Sequence, residues 1–130
     1  MDLNIPAVVA EVTTLFDRYE DALIHNKVEV LNELFWNSPT TLRYGLAEIL
    51  NSYDEIAGFR VARAPVGLHR VRRNTRITTF GHDFAVANTE FLRPSEPGRI
   101  GRQSQTWVRQ PEGWRIVSAH VSWMAEAKPT

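Results

Sequence analysis

Apolar residues recur at steps of three and four through the first part of the chain. Val8, Val12, Leu15, Phe16, Tyr19 and Leu23 share one face of a long helix, which Asn4 and Pro6 introduce, since proline is tolerated in a first turn. Asp17, Arg18, Glu20 and Asp21 fall to its wet face. Val30, Leu31, Leu34 and Phe35 form the stripe of a short second helix, ended by Asn37, Ser38 and Pro39. Thr41 to Tyr44 allow only a short strand, closed by Gly45. Ser52 and Glu55 have the spacing of a capping box, which starts a third helix at Tyr53. That helix places Ile56, Phe59, Arg60 and Arg63 on one stripe before Pro65 and Gly67 stop it.

From His69 onward the period falls to two. Strands are predicted at about 69–79, 83–93, 99–110 and 114–123, with turns at Gly81-His82-Asp83, Pro94 to Gly98 and Pro111-Glu112-Gly113. Helices followed by an antiparallel meander give an α+β domain: three helical segments packed on one face of a curved antiparallel sheet, with a small polar-lined cavity between the layers. A length of 130 residues fits one such domain, spanning 1–130.

Composition adds exclusions. At 43% hydrophobic and 23% charged residues, the chain has the make-up of a folded globule. It has no cysteine, which removes disulfides, thiolate metal sites and a cysteine nucleophile. No apolar run approaches the roughly 20 residues that cross a bilayer. An acid also stands where a signal peptide carries its basic region, so the expectation is a cytoplasmic protein with no membrane partner. Net charge is zero but divided: residues 1–55 hold ten acids and three bases, and 56–130 hold twelve bases and five acids. An acidic helical layer against a basic sheet explains this better than a nucleic-acid surface, which would leave the total positive.

Against that frame a few residues stand out. Tyr19 lies on the buried stripe, either as a core aromatic with a satisfied hydroxyl or as a phenol aimed into the cavity to carry a proton. Arg43 can face either way from its short strand; facing inward it needs a carboxylate, supplied by the protein or by an anionic ligand. Arg60 and Arg63 share a core-facing stripe, and two buried cations call for acids or a ligand unless their stems carry the heads out to water, the reading preferred for Arg63. Arg70, Arg72, Arg73 and Arg76 read as a solvated strand face or subunit contact. Gln103, Gln105 and Trp107 share one strand face, and Ile116, Ser118, His120 and Ser122 share one face of the next, as expected where a hairpin lines a wet pocket. His120 is then either a hydrogen-bonded core histidine or a general acid/base; His25, His69 and His82 fall at element ends. There is no phosphate-binding glycine loop, no nucleophile elbow and no metal-binding helix motif, so neither metal nor cofactor is expected.

The long first helix, the helical cone and the final Gly113-Trp114-Arg115-Ile116-Val117 strand with His120-Val121-Ser122 resemble the SnoaL-like, or ketosteroid-isomerase-like, superfamily. More narrowly the chain is similar to the AtzH-like family, which includes HpxZ-type oxalurate-catabolism proteins. The similarity covers nearly the whole chain and is carried by Phe16-Asp17-Arg18-Tyr19-Glu20, Leu34-Phe35, Arg43-Tyr44-Gly45, Ile56-Ala57-Gly58-Phe59-Arg60 and Gly101 to Trp107. The resemblance implies a homodimer packed sheet to sheet, a role in the catabolism of small nitrogenous compounds and association with amidases. It also implies decarboxylating amidohydrolysis that turns dicarboxyurea into allophanate, with Tyr19 and Arg43 at the positions of the family's proposed catalytic pair. The residues agree with a small anionic substrate: Tyr19, Arg43 and His120 as catalytic candidates, and Arg60, Gln105, Trp107 and Ser122 as binding candidates.

Three other functions remain open at this level. A non-catalytic dimeric partner of an amidase would share the fold. An isomerase-like domain would need an inward carboxylate base, for which Glu90 is the candidate. A nucleic-acid role would rest on the six arginines between residues 60 and 76.

Overall fold

Glycines in the left-handed region mark the ends of the four long strands, because only glycine takes that conformation without strain. Gly81 (φ 62°), Gly98 (φ 81°) and Gly113 (φ 123°) stand at the three turns of the meander. The computed structural model describes residues 1–127. The elements, in chain order, are α1 (Pro6–Ile24), α2 (Val28–Leu34), β1 (Leu42–Tyr44), β2 (Ile49–Leu50), α3 (Tyr53–Ala62), β3 (Val71–Phe80), β4 (Phe84–Leu92), β5 (Arg99–Gln110) and β6 (Gly113–Ala125). The sheet runs β2-β1-β6-β5-β4-β3, antiparallel except where β1 lies parallel to β6. No helix among the described residues is long and apolar enough to cross a membrane.

The three helices and their main stripes are those the periodicity predicts. α3 starts as the capping box requires, with the Ser52 hydroxyl accepting the Glu55 N–H. Asn4 does not cap α1; its backbone and side-chain amide pair instead with Thr79 of β3, which anchors the N-terminus to the sheet edge. β2 is an addition: two residues that become a strand only because the chain after Gly45 folds back on β1.

The helical layer and the inner sheet face share one core. Val8, Val12, Phe16 and Tyr19 of α1, Leu31 and Leu34 of α2, and Ile56 of α3 join Ala85, Ala87, Trp107, Trp114, Ile116 and Ala119 of the sheet. Burying each large side chain contributes roughly 1.5–3 kcal/mol.

One irregularity re-aims half of β6. Thr106 pairs with Ser118 but Trp107 pairs with Ile116, so Val117 is an extra, unopposed residue. Such a bulge shifts the alternation by one. Trp114 and Ile116 face the core before it, and Ala119 and Val121 face the core after it. The expected shared face of Ile116, Ser118, His120 and Ser122 is therefore split at Val117.

Candidate functional site

The inner sheet face is polar in two short rows. Arg43 of β1 pairs with Ala119 of β6, Ala119 with Gln105 of β5, and Gln105 with Ala87 of β4, so Arg43 and Gln105 flank a small alanine. In the next row Gln103 stands between Val121 and Thr89. This settles the orientation of Arg43: it points inward and is 8% exposed. Its Nη1 donates to Glu48 Oε1 at 2.8 Å. Glu48 is brought back beside it by the β1–β2 turn, and a side chain at Gly45 would overlap the Glu48 carboxylate.

From the helical side come Tyr19 and Arg60, each 1% exposed. The Arg60 guanidinium lies 5.1 Å from the centre of the Phe35 ring. Among the described residues, none of its three nitrogens has an aligned hydrogen-bond partner. The Tyr19 hydroxyl lies beside it, close enough to raise its pKa through both charge and hydrogen bonding, but no guanidinium N–H is aligned on it. Arg63, one turn further on, is half-buried: two of its nitrogens are buried and unpartnered, so its head is carried only partly out to water. Arg43 and Arg63 each lie 5.7 Å from the Phe59 ring.

A second group closes the far end. Arg70 is not on a solvated face: it is 5% exposed and held by Glu20 of α1, which is itself buried. Nε reaches Glu20 Oε2 at 3.1 Å, Nη2 bonds Glu20 Oε1, and Nη2 also reaches Gln103 Oε1 at 3.1 Å. The assignment of Glu20 to the wet face of α1 is thus corrected. It lies four residues after Phe16 and three before Leu23, on the buried stripe, and its charge is tolerated because a guanidinium meets it bidentately. Arg93 follows Phe91 at the strand period and lies over Phe91 and Trp123, its Nε unpartnered.

Five guanidiniums thus face two carboxylates, leaving three positive charges in excess. Burial lowers the Arg60 pKa to about 10, with Arg43 and Arg63 adding to the fall while Tyr19 opposes it. Arg63 and Arg93 are lowered for the same first reason. Burial alone would push the Tyr19 phenol up, but Arg60, Arg43 and Arg70 outweigh it, so the phenol sits below its ordinary value. A phenol so placed is a stronger acid, and its conjugate base is stabilised where it forms.

The structure brings Tyr19, Arg43, Arg60, Gln105 and Trp107 into this layer between helices and sheet. Trp107, fully buried, stands behind Gln105 and donates its indole N–H to Gln105 Oε1 at 3.1 Å. His120 and Ser122 are not there: the Val117 bulge turns both to the outer face, where His120 is exposed and meets Tyr44 edge-on at 5.5 Å. Glu90 also points outward, bound by Arg73 and Asn74, so the isomerase reading loses its base. A concavity of about 550 Å³ opens beside Asn74, Arg76, Asn88, Glu90 and Arg102, and Tyr19, Arg43 and Arg60 do not line it. Unpaired buried charge, not the size of a cleft, marks the site. The sequence reading missed Glu20, Glu48, Arg70 and Arg93; helical spacing from Phe16 and strand alternation from Phe91 point to Glu20 and Arg93.

The family model described as AtzH-like matches residues 1–127. A crystal structure from Pectobacterium atrosepticum, described as a protein of unknown function from the DUF3225 family, is 57% identical with a TM-score of 0.93, covering 95% of this chain and 96% of that one. A cystatin-like fold protein from Burkholderia xenovorans is 45% identical with a TM-score of 0.93, covering 98% of this chain and 99% of that one. An NTF2-like superfamily protein from Salmonella enterica is 25% identical with a TM-score of 0.68, covering 95% and 94%. Three helices on a curved six-stranded sheet are the architecture these structures share with the chain. No curated protein matches it.

Proposed function

The chain belongs to the AtzH-like family, and on that premise we propose that it is a decarboxylating amidohydrolase for a small carboxylated urea-type anion, of which dicarboxyurea is the fitting example. One observation carries the reading: Arg60 is buried with no partner on any of its nitrogens, next to a phenol of raised acidity. A buried cation left unpaired costs several kcal/mol, which a bound carboxylate offsets. Arg63 and Arg93 meet further negative charge, and an excess of three positive charges suits a dianion better than a monocarboxylate such as oxalurate.

In this reading the arginines orient the substrate's carboxylates and carbonyl, and Tyr19 supplies the proton. Water adds its hydroxyl to the carbon of one N-carboxylate, the C–N bond breaks, and that carbon leaves as bicarbonate. The nitrogen takes the Tyr19 proton, and the phenolate regains one from the same water. Arg60 and Arg43 stabilise the phenolate while it lasts, which is electrostatic catalysis by groups already in place. The product is allophanate, with every nitrogen retained. The protein acts as a homodimer packed through the outer sheet face, with a single species of twice the chain mass expected in light scattering.

The test is purified chain alone with ¹³C-carboxyl dicarboxyurea, followed by the appearance of labelled bicarbonate. Tyr19→Phe and Arg43→Ala are each expected to abolish turnover while circular dichroism stays native; turnover retained in either removes that residue from the mechanism. Bicarbonate appearing only after an amidase is added replaces the enzyme with a non-catalytic partner.

A further inference from the structure

Gln103 and Gln105 are both buried, at 6% and 1% exposure, and stand two residues apart on the inner face of β5. Each amide has its oxygen committed. Gln103 Oε1 accepts from Arg70 at 3.1 Å, and Gln105 Oε1 accepts from the Trp107 indole at 3.1 Å. Arginine and indole can only donate, so neither amide can be turned round without setting donor against donor. What remains on each is an NH₂ group, and both Nε2 atoms are buried without a partner. Leaving two such donors unmet costs about 1–3 kcal/mol apiece. Between Gln105 and Arg43 stands Ala119, in register with both, so the row has a donor on either side of a side chain that is only a methyl group.

We infer that Gln103 and Gln105 are specificity residues that read two oxygen acceptors of the ligand, with Ala119 as the floor on which it lies. Their carbonyls are held by Arg70 and Trp107, which act as positioning residues. The inference rests on the proposed anion site and narrows its ligand class. Carboxylates Glu20 and Glu48 are already taken by arginines, so among the described residues the site's buried unpartnered atoms are all nitrogen donors. It therefore selects a ligand that is rich in oxygens on this side and rejects one that presents N–H groups there. A dicarboxylate is admitted and its diamide is refused.

Malonate and malonamide, of one shape and opposite hydrogen-bond sense, are the probes, measured by calorimetric titration of the full chain. Malonate is expected to bind and malonamide to bind about a hundredfold more weakly or not at all. Gln105→Glu and Gln103→Glu keep the oxygen that Trp107 or Arg70 requires and turn the donor into an acceptor; each is expected to weaken malonate by about tenfold or more with the melting temperature held. Gln105→Met, neutral and of similar volume, separates loss of the donor from added charge and is expected to weaken malonate by about tenfold as well. Ala119→Leu is expected to abolish binding by filling the floor. Equal affinity for malonate and malonamide, or unchanged affinity in both glutamate variants, overturns the inference. Malonate binding that follows these expectations without turnover of dicarboxyurea keeps the inference and removes the proposed reaction; turnover with indifferent glutamines does the reverse.

Discussion

Replacing Arg60 with methionine is expected to make the protein more stable while removing its affinity for carboxylates. The side chain is 1% exposed and none of its guanidinium nitrogens is bonded. Its pKa falls well below the ordinary guanidinium value, to about 10, chiefly through burial. At roughly 1.4 kcal/mol per unit this corresponds to about 3 kcal/mol of cost to the folded state. Methionine is shorter but unbranched, carries no charge and has a soft thioether that fills irregular space. Loss of the contact with Phe35, 5.1 Å away, takes back about 1 kcal/mol. The net gain is about 2 kcal/mol, or about 6 °C in melting temperature for a chain of this size.

The pH dependence fixes the cause. Because the folded-state value lies below the unfolded one, the cost is at full strength wherever both forms are charged, below about 10, and fades as pH rises above about 10 toward the ordinary guanidinium range. Chemical denaturation at pH 7, 9 and 10.5 therefore shows an advantage for the variant that is constant and then narrows. Malonate at a hundred times its Kd raises wild-type stability by about 2.7 kcal/mol and leaves the variant unmoved. A variant that is less stable than the wild type at pH 7 refutes the reasoning, because it means that the guanidinium is satisfied within the fold.

Other outcomes follow from the same geometry. In the wild type the Tyr19 phenol is expected to ionise below its ordinary value and in Arg60→Met to move up, since burial then meets one fewer cation; absorbance titration at the phenolate band checks both. Glu20→Leu strands Arg70 beside Gln103 and is expected to cost about 3–5 kcal/mol in urea unfolding. His120→Ala is expected to leave turnover unchanged, because the side chain is on the outer face, and to cost no more than about 1 kcal/mol for its lost contact with Tyr44; a collapse of kcat in a folded variant would return His120 to the mechanism.

Much of the architecture is legible in the chain because its signals are local. Steps of three and four fix α1, and the Ser52 and Glu55 pair fixes the start of α3. Glycine turns separate the four long strands. β2 leaves no such trace, since two residues become a strand only by pairing with β1. The bulge at Val117 is harder still, because any residue can occupy the extra position. Its trace is a change of parity, from Trp114 and Ile116 to Ala119 and Val121, and it decides the site: read without it, His120 and Ser122 face inward; with it, two apolar residues do. Arg70 reads as solvated for a related reason. Its partner, Glu20, reaches it across the layers from fifty residues earlier, and nothing local to Arg70 marks that contact.

That pairing across layers also explains why charge is left over where it is. The acidic first half and basic second half meet at the face of α1 and are spent against each other: Glu11 on Arg109, Asp17 on Arg72 and Glu20 on Arg70. Arg18 turns to Glu33 of α2, and Glu48 is taken by Arg43. Arg60 and Arg63 belong to the basic half by sequence but lie on α3, whose acids Asp54 and Glu55 stand exposed in its first turn. Among the described residues neither makes an ion pair, and Glu48, which acts on Arg63 through space, is already bonded to Arg43. A random surplus of arginine would be solvated at no cost, as Arg76 is. Here Arg60 is buried and Arg63 half-buried beside aromatic rings and a phenol, in a chain whose net charge is zero. Deep in the layer between helices and sheet the fold meets Arg43 and Arg70 with carboxylates and leaves Arg60 without one, and the proposed anion is the partner that would complete that balance.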